Sequence, residues 1–422
     1  LRTVDFTADI THRIAGLAVV AIGTGRQGGD ADDEVKLDSV ARAEAERLRE
    51  MLLVRKGRSE VLPEAGTVAE GPAATDSGTL ATYQSSWLRL APFSLLGLVA
   101  VGLLLAAAGQ TLRTVGGDEV FTSGPARELW RWVTETPVLT TVLVALAVLV
   151  VLNTVLSTVL YALVYGGYTL RRVDDGTLRI SYGLVTHRSV TIEERRIRGV
   201  RMDEPLLLRL GGGARLKVVA AGLGAKDGKG EEKQDSDMLL PTAPRAVADS
   251  VTAGVLRTAA APATQGVRAH PVAALRVLLV RWVGVALVPA VVLAVLASLD
   301  ILPAWIWQLT LLLAVPAALF AWLEYRNLGH RLVDDAGSGA FLVARGGSAV
   351  RHTVTVRTDG IIAWRFHRTV LQGRSGLLSA TAAVAAGKGA HTIEYAAQQD
   401  ALSVARDAVP GLLEPFLESD VR

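Results

Sequence analysis

The densest group of chemically able side chains is a run of four arginines, Arg195, Arg196, Arg198 and Arg201, preceded by Glu193 and Glu194. Guanidinium groups at this spacing suit anionic headgroups or an acidic partner, and each one held at an anionic membrane surface gains about 1 kcal/mol. On a strand, however, Arg196 and Arg198 fall on one face and Arg195 and Arg201 on the other, so the four do not converge. A solvated face paired with the two glutamates is the plainer reading. Gly222–Gly230 (GLGAKDGKG) fails as a phosphate loop, because no G-x4-G-K-[ST] spacing fits and Gly230 stands where Ser or Thr belongs. The seven histidines (His12, His187, His270, His330, His352, His367 and His391) contain no H-E-x-x-H and no i, i+4 pair, so no metal ligand is assigned. No serine sits in a G-x-S-x-G elbow. The absence of cysteine excludes disulfides, thiolate zinc and a cysteine nucleophile. No catalytic or cofactor-binding residue is assigned, no cofactor is expected, and a net charge of +3 makes no case for nucleic acid.

The elements that carry the arginines have a clear rhythm. Half of the 422 residues are hydrophobic and only 20% are charged, the mark of long apolar runs alternating with soluble segments. Leu90–Gly109 is 20 residues without a charge, enough to cross a hydrocarbon core of about 30 Å. Thr136–Leu170 runs 35 residues without a charge, longer than one crossing needs. Leu275–Leu299 forms a third span, with Arg281 near its start placed to snorkel to the interface. Ile301–Leu323, interrupted by Pro303 and Pro316, forms a fourth. Seven of the eight tryptophans lie at or near span ends, and Trp87, Trp282, Trp305, Trp307 and Trp322 are the expected interfacial anchors. Within the spans the polar residues are Asn153, Thr154, Ser157, Thr158, Gln308 and Thr310; no acid lies at depth, which counts against coupled transport.

The expected division follows. Residues 1–54 end a first soluble unit and 55–86 form a flexible linker. Residues 87–110 and 137–167 are transmembrane helices joined by an extracytoplasmic loop, 111–136. Residues 168–260 form a second soluble unit, 272–299 and 301–323 are two more transmembrane helices, and 324–422 form a third soluble unit. Arg89, Arg171, Arg172, Arg268, Arg276, Arg326 and Arg331 lie near the spans on the side of the soluble units, which places those units in the cytoplasm of a bacterial plasma membrane.

The soluble units repeat. Ile197-Arg198-Gly199-Val200, then Arg209-Leu210-Gly211 and the apolar Leu216–Ala221, has a counterpart in Leu1-Arg2-Thr3-Val4, Arg13-Ile14-Ala15-Gly16 and Leu17–Ile22. Another is Ile361-Ile362-Ala363-Trp364, Arg374-Ser375-Gly376 and Leu377–Val384. Upstream, Val190-Thr191-Ile192 matches Val354-Thr355-Val356. Each copy is expected to close with a helix: Leu37–Leu53, Thr242–Leu256 and Asp400–Phe416. The first copy lacks its opening strands and the chain begins at Leu1, so a truncated start is expected.

Several antiparallel strands closed by one helix make a pleckstrin-homology-like unit. The Gly183 turn, the Arg195–Val200 strand, Arg209–Gly211 and the flanking membrane pairs resemble the bacterial PH domain family of membrane-flanked proteins (YdbT-like, DUF304). Gln372-Gly373-Arg374-Ser375-Gly376-Leu377 resembles that family's Gln-Arg-Arg-x-Gly-Leu, departing from it at Gly373. The resemblance implies an α+β multi-pass membrane protein in which PH-like β-barrel or sandwich domains with a C-terminal helix alternate with pairs of transmembrane helices. It further implies a possible homo-oligomer, a smaller YdbS-like single-PH-domain membrane protein as partner, and no enzymatic activity. The expected function is therefore a membrane scaffold or interaction module, in envelope maintenance or defence. A transporter or channel component built on the four spans is the alternative.

Overall fold

The computed structural model describes residues 3–8, 17–23, 34–41, 76–114, 124–173, 176–220, 237–299, 301, 303, 305–335, 337–386 and 389–414. Its first strands are β1 (Thr3–Ala8), β2 (Leu17–Gly23), β3 (Glu34–Ala41) and β4 (Asp76–Thr82). A 3-10 segment, Ser85–Phe93, leads to helices α1 (Leu95–Thr114), α2 (Gly124–Glu135) and α3 (Val138–Tyr165). Strands β5 (Thr169–Val173), β6 (Thr177–Tyr182), β7 (His187–Glu193) and β8 (Ile197–Pro205) follow, then α4 (Leu206–Leu210), β9 (Gly213–Ala220), β10 (Met238–Pro244) and α5 (Arg245–Leu256). Next come α6 (Val272–Ser298), α7 (Ile306–Leu311) and α8 (Ala314–Asn327). The chain closes with β11 (Gly329–Asp335), β12 (Gly339–Gly346), β13 (Val350–Arg357), β14 (Ile361–His367), α9 (Val370–Arg374), β15 (Leu377–Val384), β16 (Ala390–Ala397) and α10 (Gln398–Ala408).

Alternation of apolar and polar residues makes the strands. In β6, Leu178, Ile180 and Tyr182 are buried while Arg179 is exposed. The β6–β7 turn depends on Gly183, with φ +105°, where a Cβ would lie 2.0 Å from the Thr186 carbonyl oxygen. Gly347, with φ +94°, meets the Val350 carbonyl at 2.1 Å in the same way at the β12–β13 turn. One core packs the inward faces of β5 to β10 against α5, Trp87, Tyr161 and Tyr168. A second joins β12 to β16 and α10, whose buried Ala401, Ala405 and Ala408 allow close approach.

Half-sheets from successive strand-rich segments join edge to edge. The first sheet has the order β3-β2-β1-β7-β6-β5-β4, the second β10-β9-β8-β13-β12-β11, and the third only β14-β15-β16. The joints β1–β7 and β8–β13 are both antiparallel, and Asp5 faces Val190 as Arg201 faces Val354. In the sequence alignment Asp5 is the counterpart of Arg201, and Val190 of Val354. The two joints share one register.

The structure corrects several expectations. Leu37–Ala41, read as the start of a helix, belongs to β3, where pairing with β2 outweighs helical spacing; the rest of Leu37–Leu53 lies outside the described residues. The linker 55–86 ends in ordered structure, because β4 pairs with β5. Residues 111–136 include the amphipathic helix α2. Among the described residues two helices, α3 and α6, are long and apolar enough to cross a membrane; Ser85–Phe93 and the helix after it, bent by 59°, make a third if taken as one span. Ile301–Leu323, expected as one span, is instead divided between α7 and α8. Pro316 near the start of α8 has no N–H to donate, so it suits the first turn of a new helix and not the interior of an old one. The last helix ends at Ala408, short of the expected Phe416, with Pro410 just beyond.

Candidate functional site

The four arginines do not form one strand face. Arg195 and Arg196 sit on a 3-10 turn, Glu194–Arg196, and only Arg198 and Arg201 lie on β8. Arg195 and Arg196 bond to Glu193 Oε2 at 2.8 and 3.0 Å. Glu194 turns the other way, to Arg172 and to Arg257, the latter at 2.6 Å. Arg195 and Arg198, expected on opposite faces, instead share a cleft of about 250 Å³ with Arg257, Arg357, Glu194 and Asp359. The turn breaks the strand's two-residue period, which is why alternation misplaced them. Four guanidinium groups against two carboxylates leave the cleft suited to an anion.

That cleft lies at the end of the sheets remote from the apolar helices. The β6–β7 turn rests on the end of α3 (Leu184 N donates to the Leu163 carbonyl at 3.0 Å), whereas Glu194 N donates to Gly176 at the opposite turn, at 2.9 Å. Between them runs β7, 7 residues long and so roughly 20 Å. The helix-proximal end instead exposes apolar side chains: Leu184 (53%), Leu207 (51%), Leu210 (76%) and Val370 (73%).

Arg201 belongs to the β8–β13 joint. It donates to Asp203 Oδ1 at 2.7 Å, and His352, from the opposing strand, lies 2.7 Å from the same oxygen. Burial pushes the Asp203 carboxyl up, but the hydrogen bond with His352 and the Arg201 guanidinium outweigh it and hold its pKa below the usual value. Beside this pair Glu204, 1% exposed, accepts two bonds from Arg351, at 2.7 and 2.6 Å, and a third from Arg245 at 3.2 Å. Arg345 and Arg209 stand nearby with lowered pKa values, first from burial and then from repulsion by Arg351. Glu204 is the anion that balances this cationic group.

A second set of bonds ties the strand-rich segments to the long helices. Tyr161 of α3 donates to the Thr242 carbonyl on β10 at 2.5 Å. On the corresponding strand β16, Tyr395 has φ +54°, and Arg281 of α6 donates to its hydroxyl at 2.5 Å. Arg281 also bonds both oxygens of Glu324, each at 2.7 Å, and the Trp282 indole donates to the same carboxylate at 2.7 Å. Arg281 thus has a buried acid as partner, where the sequence led us to expect a snorkelling side chain. Just before α6 and on β11, His270 and His330, 5% and 2% exposed, face each other at 2.9 Å between ring nitrogens. Burial, then the neighbouring His330, lowers the His270 pKa to about 3; burial also lowers His330.

These depressed histidines make a pH prediction. A histidine kept neutral in the folded state and free to protonate when unfolded withdraws stability as pH falls below about 6.5. The loss is up to about 1.4 kcal/mol per pH unit for each group. Thermal unfolding in detergent should therefore be flat above pH 6.5 and fall steadily from there towards pH 4, less steeply in His270→Asn. Asp203 adds a loss of the same sign, but only below about pH 4. An unchanged midpoint between pH 7 and 4.5 would refute the assignment.

The tryptophans divide. Trp87, expected at the membrane interface, is 0% exposed and lies against Tyr83 and Tyr168 in the core. Its indole has more apolar area to bury than a tight turn can leave in water. Trp305 is 58% exposed, Trp322 is 43% exposed with the Arg326 guanidinium over its ring, Trp307 is half-buried, and Trp282 stacks on Phe320. Asn153, the polar residue deepest in α3, donates to the Pro92 carbonyl at 3.1 Å, and its side chain fills the space where a Cβ on Gly97 would lie. Ser157 and Thr154 bond their own helix.

The β8 side of the joint, its buried acid Glu204 and the Tyr161 contact to β10 all lie in the segment from α1 to α5. Residues 88–258 match the family model of the bacterial PH domain. No curated protein and no solved structure matches the chain. The bacterial PH domain match takes in α1 and α3 as well as β5 to β10 and α5. Glu204, Arg351, Glu324 and Tyr395 were not singled out by sequence. The signal that was available is Arg281 inside one apolar run and Glu324 at the end of the next, a spacing that calls for a pair.

Proposed function

We propose that this chain is a non-enzymatic, multi-pass membrane scaffold in which three PH-like units, the first contributing β1–β3, are joined in series on the cytoplasmic side. The observation that carries the reading is the shared register of the β1–β7 and β8–β13 joints. A contact built twice in the same geometry along one chain serves to space units, and the buried ion cluster at the second joint holds it rigid. The spans act as tethers: their polar groups go into helix packing, and Arg281 and Tyr161 anchor the units above them. The anion cleft at Arg195, Arg198, Arg257 and Arg357 faces away from the bilayer, so its ligand is a soluble or protein-borne anion in preference to a headgroup.

The absence of native cysteine makes the test direct. Paired strands bring facing Cα atoms to about 4.5–5.5 Å, within disulfide range. Asp5→Cys with Val190→Cys, and Arg201→Cys with Val354→Cys, should each oxidise to an intramolecular disulfide. In whole cells an impermeant maleimide should label Glu135→Cys on α2 and spare Ser250→Cys and Ser403→Cys. Labelling of the latter two, or failure of both disulfides, would sink the proposal.

A further inference from the structure

We infer that two short helices, α4 and α9, lie in the interfacial layer of the bilayer that the long helices cross. The strand-rich units are then seated in the lipid as well as tethered to it. The inference deepens the membrane-scaffold reading and rests on it. The two helices are the same device built twice. One follows β8 and the other β14, and each leads to a glycine with positive φ, Gly212 (φ +74°) or Gly376 (φ +64°). Each buries its third residue, Leu208 or Gln372, and exposes its second, Leu207 (51%) or Leu371 (43%). Leu210, in the last place of α4, is 76% exposed, and Val370, in the first place of α9, is 73% exposed.

Both helices stand beside apolar helix surface. Gly211, just after α4, packs on Phe93, whose ring would lie 3.0 Å from an added Cβ. The neighbouring Pro92 carbonyl accepts from Asn153 of α3, beside which Val150, Val151 and Val155 are 55%, 63% and 57% exposed. In the other unit α9 packs against α6, whose Val272 and Val280 are 60% and 56% exposed. The apolar faces of α4 and α9 therefore continue the surface that the long helices offer to hydrocarbon.

The chemistry of these faces fits a lipid layer. Arg368 and Arg374 flank Val370 and Leu371 and are exposed. Their long side chains reach headgroup phosphates while the apolar residues sit below, as in an interfacial helix. At the far end of the sheets the turns Glu194–Arg196 and Thr358–Gly360 hold no apolar residue, as a bilayer on one side only requires. A protein segment would have to cover α4 and α9 separately. One leaflet meets both, because each stands beside a long apolar helix.

The chain has no native cysteine, so single cysteines carrying an environment-sensitive NBD dye test this in lipid nanodiscs. Leu207→Cys and Leu371→Cys are the test sites, and Leu210→Cys and Val370→Cys repeat them from neighbouring residues. Val151→Cys on α3 and Asp359→Cys on the far turn are the references. Emission at the test sites should be blue-shifted and should fall several-fold when the lipids carry bromine near the top of the acyl chain. Val151 should respond more to bromine placed deeper, and Asp359 to neither. Water-like emission at Leu207 or Leu371 would overturn the inference. So would a blue shift that brominated lipid leaves unquenched, which would mean that protein covers the site. Quenching at Val151 with none at the test sites keeps the spans and removes only the seating. No quenching at Val151 would sink the membrane reading and this inference together.

Discussion

Glu204→Ala should cost the folded protein about 3–5 kcal/mol, because it strips the counter-charge from a buried arginine. The Arg351 side chain is 15% exposed and that of Glu204 2%, so water cannot replace the lost carboxylate. Arg345 and Arg209 then face Arg351 without that carboxylate, Arg245 keeps only Asp249 at 3.7 Å, and the mutual repulsion of the guanidinium groups adds to the desolvation penalty. The residues also face each other in register across the joint, so the damage falls where β8 and β13 meet. Denaturant unfolding in detergent, followed by tryptophan fluorescence, measures the loss. Replacing both partners, Glu204→Leu with Arg351→Leu, should recover most of it, since two apolar side chains leave no orphaned charge. A single variant that loses under 1 kcal/mol, or a double variant no better than the single, would show that the cluster is not what holds the joint.

The second large effect is expected at the helix contact. Glu324, 4% exposed, holds Arg281 with two bonds and Trp282 with a third. Glu324→Ala leaves an arginine inside α6 bonded only to Tyr395, at a cost of about 3 kcal/mol. The lower end of the usual range applies because the Arg281 side chain is 42% exposed. The damage should be local. Leu377 and Tyr395 pack on Ala274, Val277 and Leu278 of α6, so loss of the ion pair loosens β14–β16 and α10 from the helix. Limited trypsin digestion should cut after Arg365 or Arg374 several-fold faster in Glu324→Ala, with cleavage around β5–β7 unchanged. Equal acceleration throughout would mean global destabilisation and would count against a local tether.

Much of the architecture was legible because its signals are periodic or compositional. The charge-free run Thr136–Leu170 became α3, and Leu275–Leu299 became the greater part of α6. The glycine at 183 marked a turn that no other residue fits, and Leu216–Ala221 became most of β9. Expectations failed where a local rule met a tertiary partner. Leu37–Ala41 has helical spacing but pairs as a strand, and the Arg195–Arg196 turn removed the alternation that the face assignment needed. Trp87 has an interfacial side chain at an interfacial position in the sequence, and the core took it instead.

Taken alone, then, the sequence determined where the long charge-free runs and the strand-rich segments lie, and that it carries no familiar catalytic spacing. Those properties are written in side chains, whose hydrophobicity and spacing survive being read one residue at a time. Which half-sheet joins which, and that among the described residues β14 pairs only with β15, only the tertiary structure decided. Strands pair through backbone N–H and C=O groups that every residue but proline carries alike. The choice of neighbour therefore leaves little trace in residue types until the fold brings Glu204 and Arg351 face to face.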